Sequence, residues 1–118
     1  MNVGVVGSRD WTDKEFIFKI LDEVDLRSGG QDTIVSGGAI GADTFAEKYA
    51  KEKHITRLII KPDYEHHGKI APLLRNKVII DYSDMLVAFW NGKSKGTLHA
   101  IIEAVKQGKK VIIYGEPK

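Results

Sequence analysis

The chain has 118 residues, of which 42% are hydrophobic, with 18 basic and 16 acidic side chains that leave a formal charge of +2. This is the size of one domain, residues 1–118, able to bury a single core without staples. The charge is too small for a dedicated nucleic-acid coat, so nucleic acid is not expected as a partner, although a pI near 8.8 suits an anionic ligand. There is no cysteine, which excludes disulfides, thiolate nucleophiles and zinc–thiolate sites. No apolar run approaches the roughly 20 residues that span a bilayer, and a soluble cytoplasmic protein is expected.

Apolar runs at Val3–Val6, Ile34–Val35, Leu58–Ile60, Met85–Phe89 and Val111–Tyr114 are short and mostly unalternated, as strands buried on both faces of a parallel sheet are. Four helical patterns separate them. In the first, Thr12 and Glu15 have capping-box spacing, Trp11 and Phe16 stand at staple positions, and Gly29-Gly30 supplies a stop. The second covers Ala42 to Lys53, with Glu47 and Lys51 four apart on its outer side. The third opens at Pro72 and runs to about Tyr82, with Leu73, Leu74, Val78 and Ile79 as its apolar positions. The fourth starts near Thr97, sets Leu98, Ile101, Ile102 and Val105 on one face, and stops at Gly108.

Strands and helices in alternation predict a Rossmann-like three-layer α/β/α sandwich around a five-stranded parallel sheet. Ligands of such sheets bind beyond the carboxyl ends of the strands. The unusual loops gather at that edge: Gly7-Ser8-Arg9-Asp10, then "SGGAIGAD" from Ser36 to Asp43, then Lys61 to Tyr64, then Trp90 to Thr97. Connections at the opposite edge, such as His54 to Thr56 and Tyr82 to Asp84, are plainer.

In "SGGAIGAD", Gly37, Gly38 and Gly41 permit positive φ and close approach of backbone N–H groups to an anion, with Ser36, Ala39 and Asp43 completing the loop. The bland alternative is a tight turn that lets the next helix lie close to the sheet. The second loop, containing Gly92, Ser94, Gly96 and Thr97, also leads into a helix; its spacing does not match a P-loop, and "GVVGSRD" lacks a full GxGxxG. Arg9 and Arg75 have the fork that clamps phosphate, Asp43 could accept ribose hydroxyls, and Trp90 could stack on a base. Each has an ordinary alternative: an ion pair, a helix-dipole partner, a core aromatic. The four histidines show no metal spacing.

Together "GVVGSRDW", "SGGAIGADTFAEKYA", "GKIAPLLRNKVI" and "DMLVAFWNGKSKGTLHAIIEAVKQGKKV" resemble the SLOG superfamily, which includes the Lonely Guy phosphoribohydrolases and the DNA-processing protein DprA. The nearest resemblance is to its small YpsA-related branch. It implies a nucleotide or nucleotide-derived ligand of the AMP, ADP-ribose or NAD kind, no required cofactor, and a homodimer, with Gly7, Ser8, Arg9 and the glycine loop on one side of the site. Arg75, Asn76 and the Gly92–Thr97 loop would form the other side. Arg75 corresponds to the arginine of the phosphoribohydrolases, with Asp84 following at the family distance, but Ala100 stands where their catalytic glutamate would be. A binding module, sensor or carrier, is therefore expected ahead of an N-glycosidase, for which Arg75 and Asp43 are the catalytic candidates, and ahead of DprA-like single-stranded DNA binding.

Overall fold

The computed structural model describes residues 1–116. Five strands, β1 (Asn2–Gly7), β2 (Thr33–Ser36), β3 (Thr56–Ile59), β4 (Met85–Phe89) and β5 (Lys110–Tyr114), form one parallel sheet in the order β3-β2-β1-β4-β5. The helices are α1 (Lys14–Val24), α2 (Ala42–Glu52), a single turn α3 (Tyr64–His67), α4 (Ala71–Tyr82) and α5 (Lys95–Lys106), with a 3-10 turn at Gly68–Ile70 between α3 and α4. This is the expected Rossmann-like sandwich. The strand order reverses between β1 and β4, which opens a crevice above their carboxyl ends.

The apolar runs serve both faces of the sheet because successive strand residues point to opposite sides. Val3, Val5, Ile34, Met85, Val87 and Phe89 meet α1 and α2, whereas Val6, Val35, Leu86 and Ala88 meet α4 and α5. On the first side Trp11 and Phe89 pack edge to face with centroids 5.3 Å apart, and Phe16 adds a tilted contact to Trp11 at 6.0 Å. The staple pair thus meets, inside a larger aromatic cluster.

Several boundaries differ from the sequence expectation. Asp13, not Thr12, caps α1 by accepting from the Phe16 N–H at 3.0 Å, while the Thr12 hydroxyl donates to Glu116 at 2.6 Å. The helix stops at Val24, because Asp25 turns left-handed at φ 61° well before the glycine pair. β3 begins at Thr56, and Asp63 caps an added helical turn in what reads as loop. Glu47 is not an outer partner of Lys51: its carboxylate accepts from the Ser36 hydroxyl at 2.8 Å.

The faces of α4 and α5 also differ. In α5 the buried residues are Thr97, Ala100, Ile101 and Ala104, while Leu98, Ile102 and Val105 are exposed; in α4, Ala71, Asn76, Ile79 and Ile80 are buried and Leu73, Leu74 and Val78 exposed. Alanines turned toward the sheet let the helix axis come closer than leucines would, so bulk alone misplaces the face. Ile101→Ala should therefore cost about 2–5 kcal/mol in urea unfolding. Val105→Ala, at a position 63% exposed, should stay within about 0.5 kcal/mol.

Candidate functional site

A cleft of about 100 Å³ lies at the strand-order reversal, floored by Val6, Gly7 and Ile79 and walled by Arg9, Ala39, Asp43, Pro72, Arg75, Asn76, Ser94, Gly96 and Thr97. It joins the ends of β1 and β2 to the first turns of α4 and α5. Pro72, Arg75, Asn76 and Ile79 sit at i, i+3, i+4 and i+7 of α4, one face of one helix. Pro72, Ile79 and Val6 escaped sequence reasoning, since an apolar residue in a cleft looks like core; for Pro72 and Ile79, helical spacing from Arg75 was the available signal.

Three loops are tied together beneath the cleft by Ser8. Its N–H donates to the Phe89 carbonyl at 2.9 Å, its hydroxyl accepts from the Asn91 N–H at 2.9 Å, and its carbonyl accepts from Trp11 at 3.2 Å and Ala42 at 3.4 Å. Gly41 crosses directly above. Its φ is +85°, and a β-carbon there would stand 2.5 Å from the Ser8 carbonyl oxygen, so any side chain would clash and strain at once.

The glycine loop is held by protein groups. Asp43 is buried, 5% exposed, and its Oδ2 accepts from the Gly37 N–H at 3.2 Å and the Ala39 N–H at 3.4 Å. Arg75 donates from one guanidinium nitrogen to the Gly37 carbonyl at 2.8 Å and from Nε to Asn76 Oδ1 at 3.0 Å. Asn76 in turn donates to the Gly96 carbonyl at 3.1 Å. A chain of contacts therefore runs from the first glycine loop through α4 to the second loop.

At that second loop Ser94 caps α5, accepting from the Thr97 N–H at 3.3 Å, and the Asn91 side chain accepts from the N–H groups of Lys93 and Ser94 at 2.8 Å each. The first-turn N–H groups of α5 have no partner within the helix and point toward the positive end of its dipole. With Arg9 exposed at the rim, this wall is suited to an anion.

The remaining expected residues do not line the cleft. Ser8, Gly37, Gly38 and Gly41 shape the loops behind it, Ser36 is buried against Glu47, and Gly92 is exposed. Trp90 packs against the core under α4 and α5 and donates from Nε1 to the Ser94 carbonyl at 3.0 Å. Asp84 lies at the opposite edge of the sheet, where it accepts from the Asn2 N–H at 2.7 Å, so it cannot follow Arg75 into the site. Ala100 is fully buried beside Ile101 and Ala104. Among the described residues no three His, Cys, Asp or Glu side chains gather in a way that could hold a metal ion, and no helix is long and apolar enough to cross a membrane.

Fold and cleft define a Rossmann-like domain with a polar crevice at its switch point. The model of the YspA, cpYpsA-related SLOG family matches residues 1–67, and Gene 61 protein of Mycobacterium phage D29 is 36% identical over 118 residues, covering 95% of this chain and 94% of that one. The chain belongs to this SLOG family. The matched segment carries Gly7 to Asp43; the α4 and α5 side of the cleft lies beyond it.

Two solved structures share the fold. DNA processing protein A (DprA) from Streptococcus pneumoniae superposes with a TM-score of 0.79 at 19% identity, over 95% of this chain and 49% of that one. DNA processing protein A from Helicobacter pylori, whose structure was described for its single-stranded DNA binding mode, gives 0.74 at 23% identity, over 96% and 64%. The chain spans about half and just under two thirds of these proteins. At these identities the likeness is one of fold.

Burial pushes the Asp43 carboxyl up from its ordinary 3.8 to about 6; the Ala39 N–H, the charge of Arg75 and the Gly37 N–H oppose this, and Glu47 adds to it. A folded state that holds the proton more tightly than the unfolded chain is favoured by this group below the unfolded value, and loses that contribution as pH rises through about 6. The effect is worth about 3 kcal/mol. In urea unfolding between acid and neutral pH, the stability of Asp43→Asn relative to the native chain should rise by up to that amount; a constant difference would show that Asp43 titrates normally.

Proposed function

We propose that this protein binds a nucleotide or nucleotide-derived ligand, of the AMP, ADP-ribose or NAD kind, in the cleft at the carboxyl edge of the sheet, and serves as a cytoplasmic sensor or carrier of it. The observation that carries the reading is the composition of the cleft: Arg9 and the first turn of α5 offer positive potential, while Asp43, Asn76, Ser94 and Thr97 supply buried or half-buried polar atoms beside them. Membership of a SLOG family supports a nucleotide-related role. Arg75 and Asp43 both border the cleft, so release of free base belongs among the measurements.

Volume supports the expected homodimer as part of this reading. A cleft of about 100 Å³ accommodates a phosphate group, whereas small-molecule sites usually enclose about 300–1,000 Å³; a second copy would add the missing wall. Light scattering should then give twice the mass of one chain. A monomer in the presence of saturating AMP would remove the dimer from the reading.

Calorimetry with AMP, ADP-ribose and NAD should detect binding of at least one, and Arg9→Ala should weaken it about tenfold or more without altering stability, since this side chain is exposed. No heat with any of the three would reject the reading. A second reading is favoured by the fold of the Helicobacter pylori protein described for its single-stranded DNA binding mode: single-stranded DNA lies along the same edge. Gel shifts on oligo(dT) at several salt concentrations should then show affinity falling steeply with salt; absence of a shift at low salt would reject it.

A further inference from the structure

We propose that Asp43 reads the ribose hydroxyls of the ligand and keeps its phosphate out of the glycine loop, so that the sugar faces α2 while the phosphate faces Arg9 and the start of α5. The inference rests on the nucleotide reading of the cleft and assigns the ligand a direction within it. It reverses the role that a glycine-rich loop before a helix would ordinarily be given.

The two loop donors that an incoming phosphate would need are already engaged, because Asp43 Oδ2 accepts from both the Gly37 and the Ala39 N–H groups. The protein supplies its own anion there. A second negative charge a few ångströms away would be repelled. The Gly37 carbonyl on the same loop is likewise taken, by Arg75.

The other oxygen of the carboxylate is differently placed. Among the described residues no hydrogen bond reaches Asp43 Oδ1 and no salt bridge involves the side chain, although the residue is only 5% exposed and borders the cleft. No buried side-chain oxygen or nitrogen is sealed without a partner among the described residues, so Oδ1 is reached by solvent, on a residue that borders the cleft. An ionised carboxylate oxygen can only accept. The ligand group that fits it is a donor, and the vicinal hydroxyls of a ribose provide two side by side.

On the opposite wall the polarity is inverted. Ser94 caps the Thr97 N–H, and the two hydroxyls bond each other, which leaves the N–H groups of Lys95 and Gly96 in the first turn of a 12-residue helix for an anion, with Arg9 alongside. The cleft is thus an acceptor at one end and a donor at the other, which is the polarity of a nucleoside phosphate laid across it.

The test compares AMP with 2′,3′-dideoxyAMP by calorimetry on the native chain at neutral pH. AMP should bind about tenfold or more tightly. Equal affinity for the two would overturn the role of Asp43 and leave the cleft reading standing, whereas binding of neither would overturn both. Asp43→Asn, which presents a donor in place of the acceptor, should abolish the discrimination and raise the affinity for inorganic phosphate about tenfold; retained discrimination in that variant would overturn the assignment. If the variant does not fold, the comparison of the two nucleotides on the native chain still decides.

Discussion

Ser8 is the knot on which the cleft depends. Three separate connections meet at this one buried residue: its own amide closes onto β4, its hydroxyl receives the amide of Asn91, and its carbonyl receives the amides of Trp11 and Ala42. Remote segments at residues 8, 42 and 91 are thereby held within hydrogen-bond distance. Buried backbone groups must be satisfied, and here satisfying them sets where α2 begins and how closely the β4–α5 loop approaches β1. Gly41 follows from the same constraint, because the chain entering α2 has to pass over the Ser8 carbonyl with no room for a β-carbon.

From that knot the walls of the cleft follow in order. α2 starts with Asp43 turned back onto the glycine loop; Arg75 reaches from α4 to the same loop; Asn76 reaches on to Gly96. Loops that carry ligands are usually the mobile parts of a fold, but these are cross-braced by side chains whose partners are backbone atoms. The site's polar groups divide into those that make the frame, such as Ser8, Ser36 and Arg75, and those with capacity to spare toward the cleft, such as Asp43, Thr97 and Arg9.

Much of this was legible in the sequence. The strand positions, their parallel arrangement and the gathering of loops at one edge follow from unalternated β-branched runs and from glycine placement, and Arg75, singled out by the phosphoribohydrolase resemblance, borders the cleft. What could not be read was which way a polar side chain faces. Ser36 and Glu47 look independent until β2 and α2 are packed together; Asp84 looks equivalent to a site acid until the strand that follows it sends it to the far edge. In α5 the alanines Ala100 and Ala104 lie on the buried face beside Ile101, so bulk alone does not mark that face, whereas α4 buries Asn76 with Ile79 and Ile80 and leaves Leu73, Leu74 and Val78 exposed.

The position of Ala100 bears on how this scaffold could acquire new chemistry. Its methyl group is fully enclosed by apolar neighbours on the inner side of α5. A carboxylate installed there would be stripped of water with no cation beside it, at a cost of several kcal/mol, a large fraction of the stability of a domain this small. The route from this cleft to the hydrolases of the wider superfamily is therefore not a single exchange of alanine for glutamate. It would require α5 to rotate or the core under α4 to be rebuilt first.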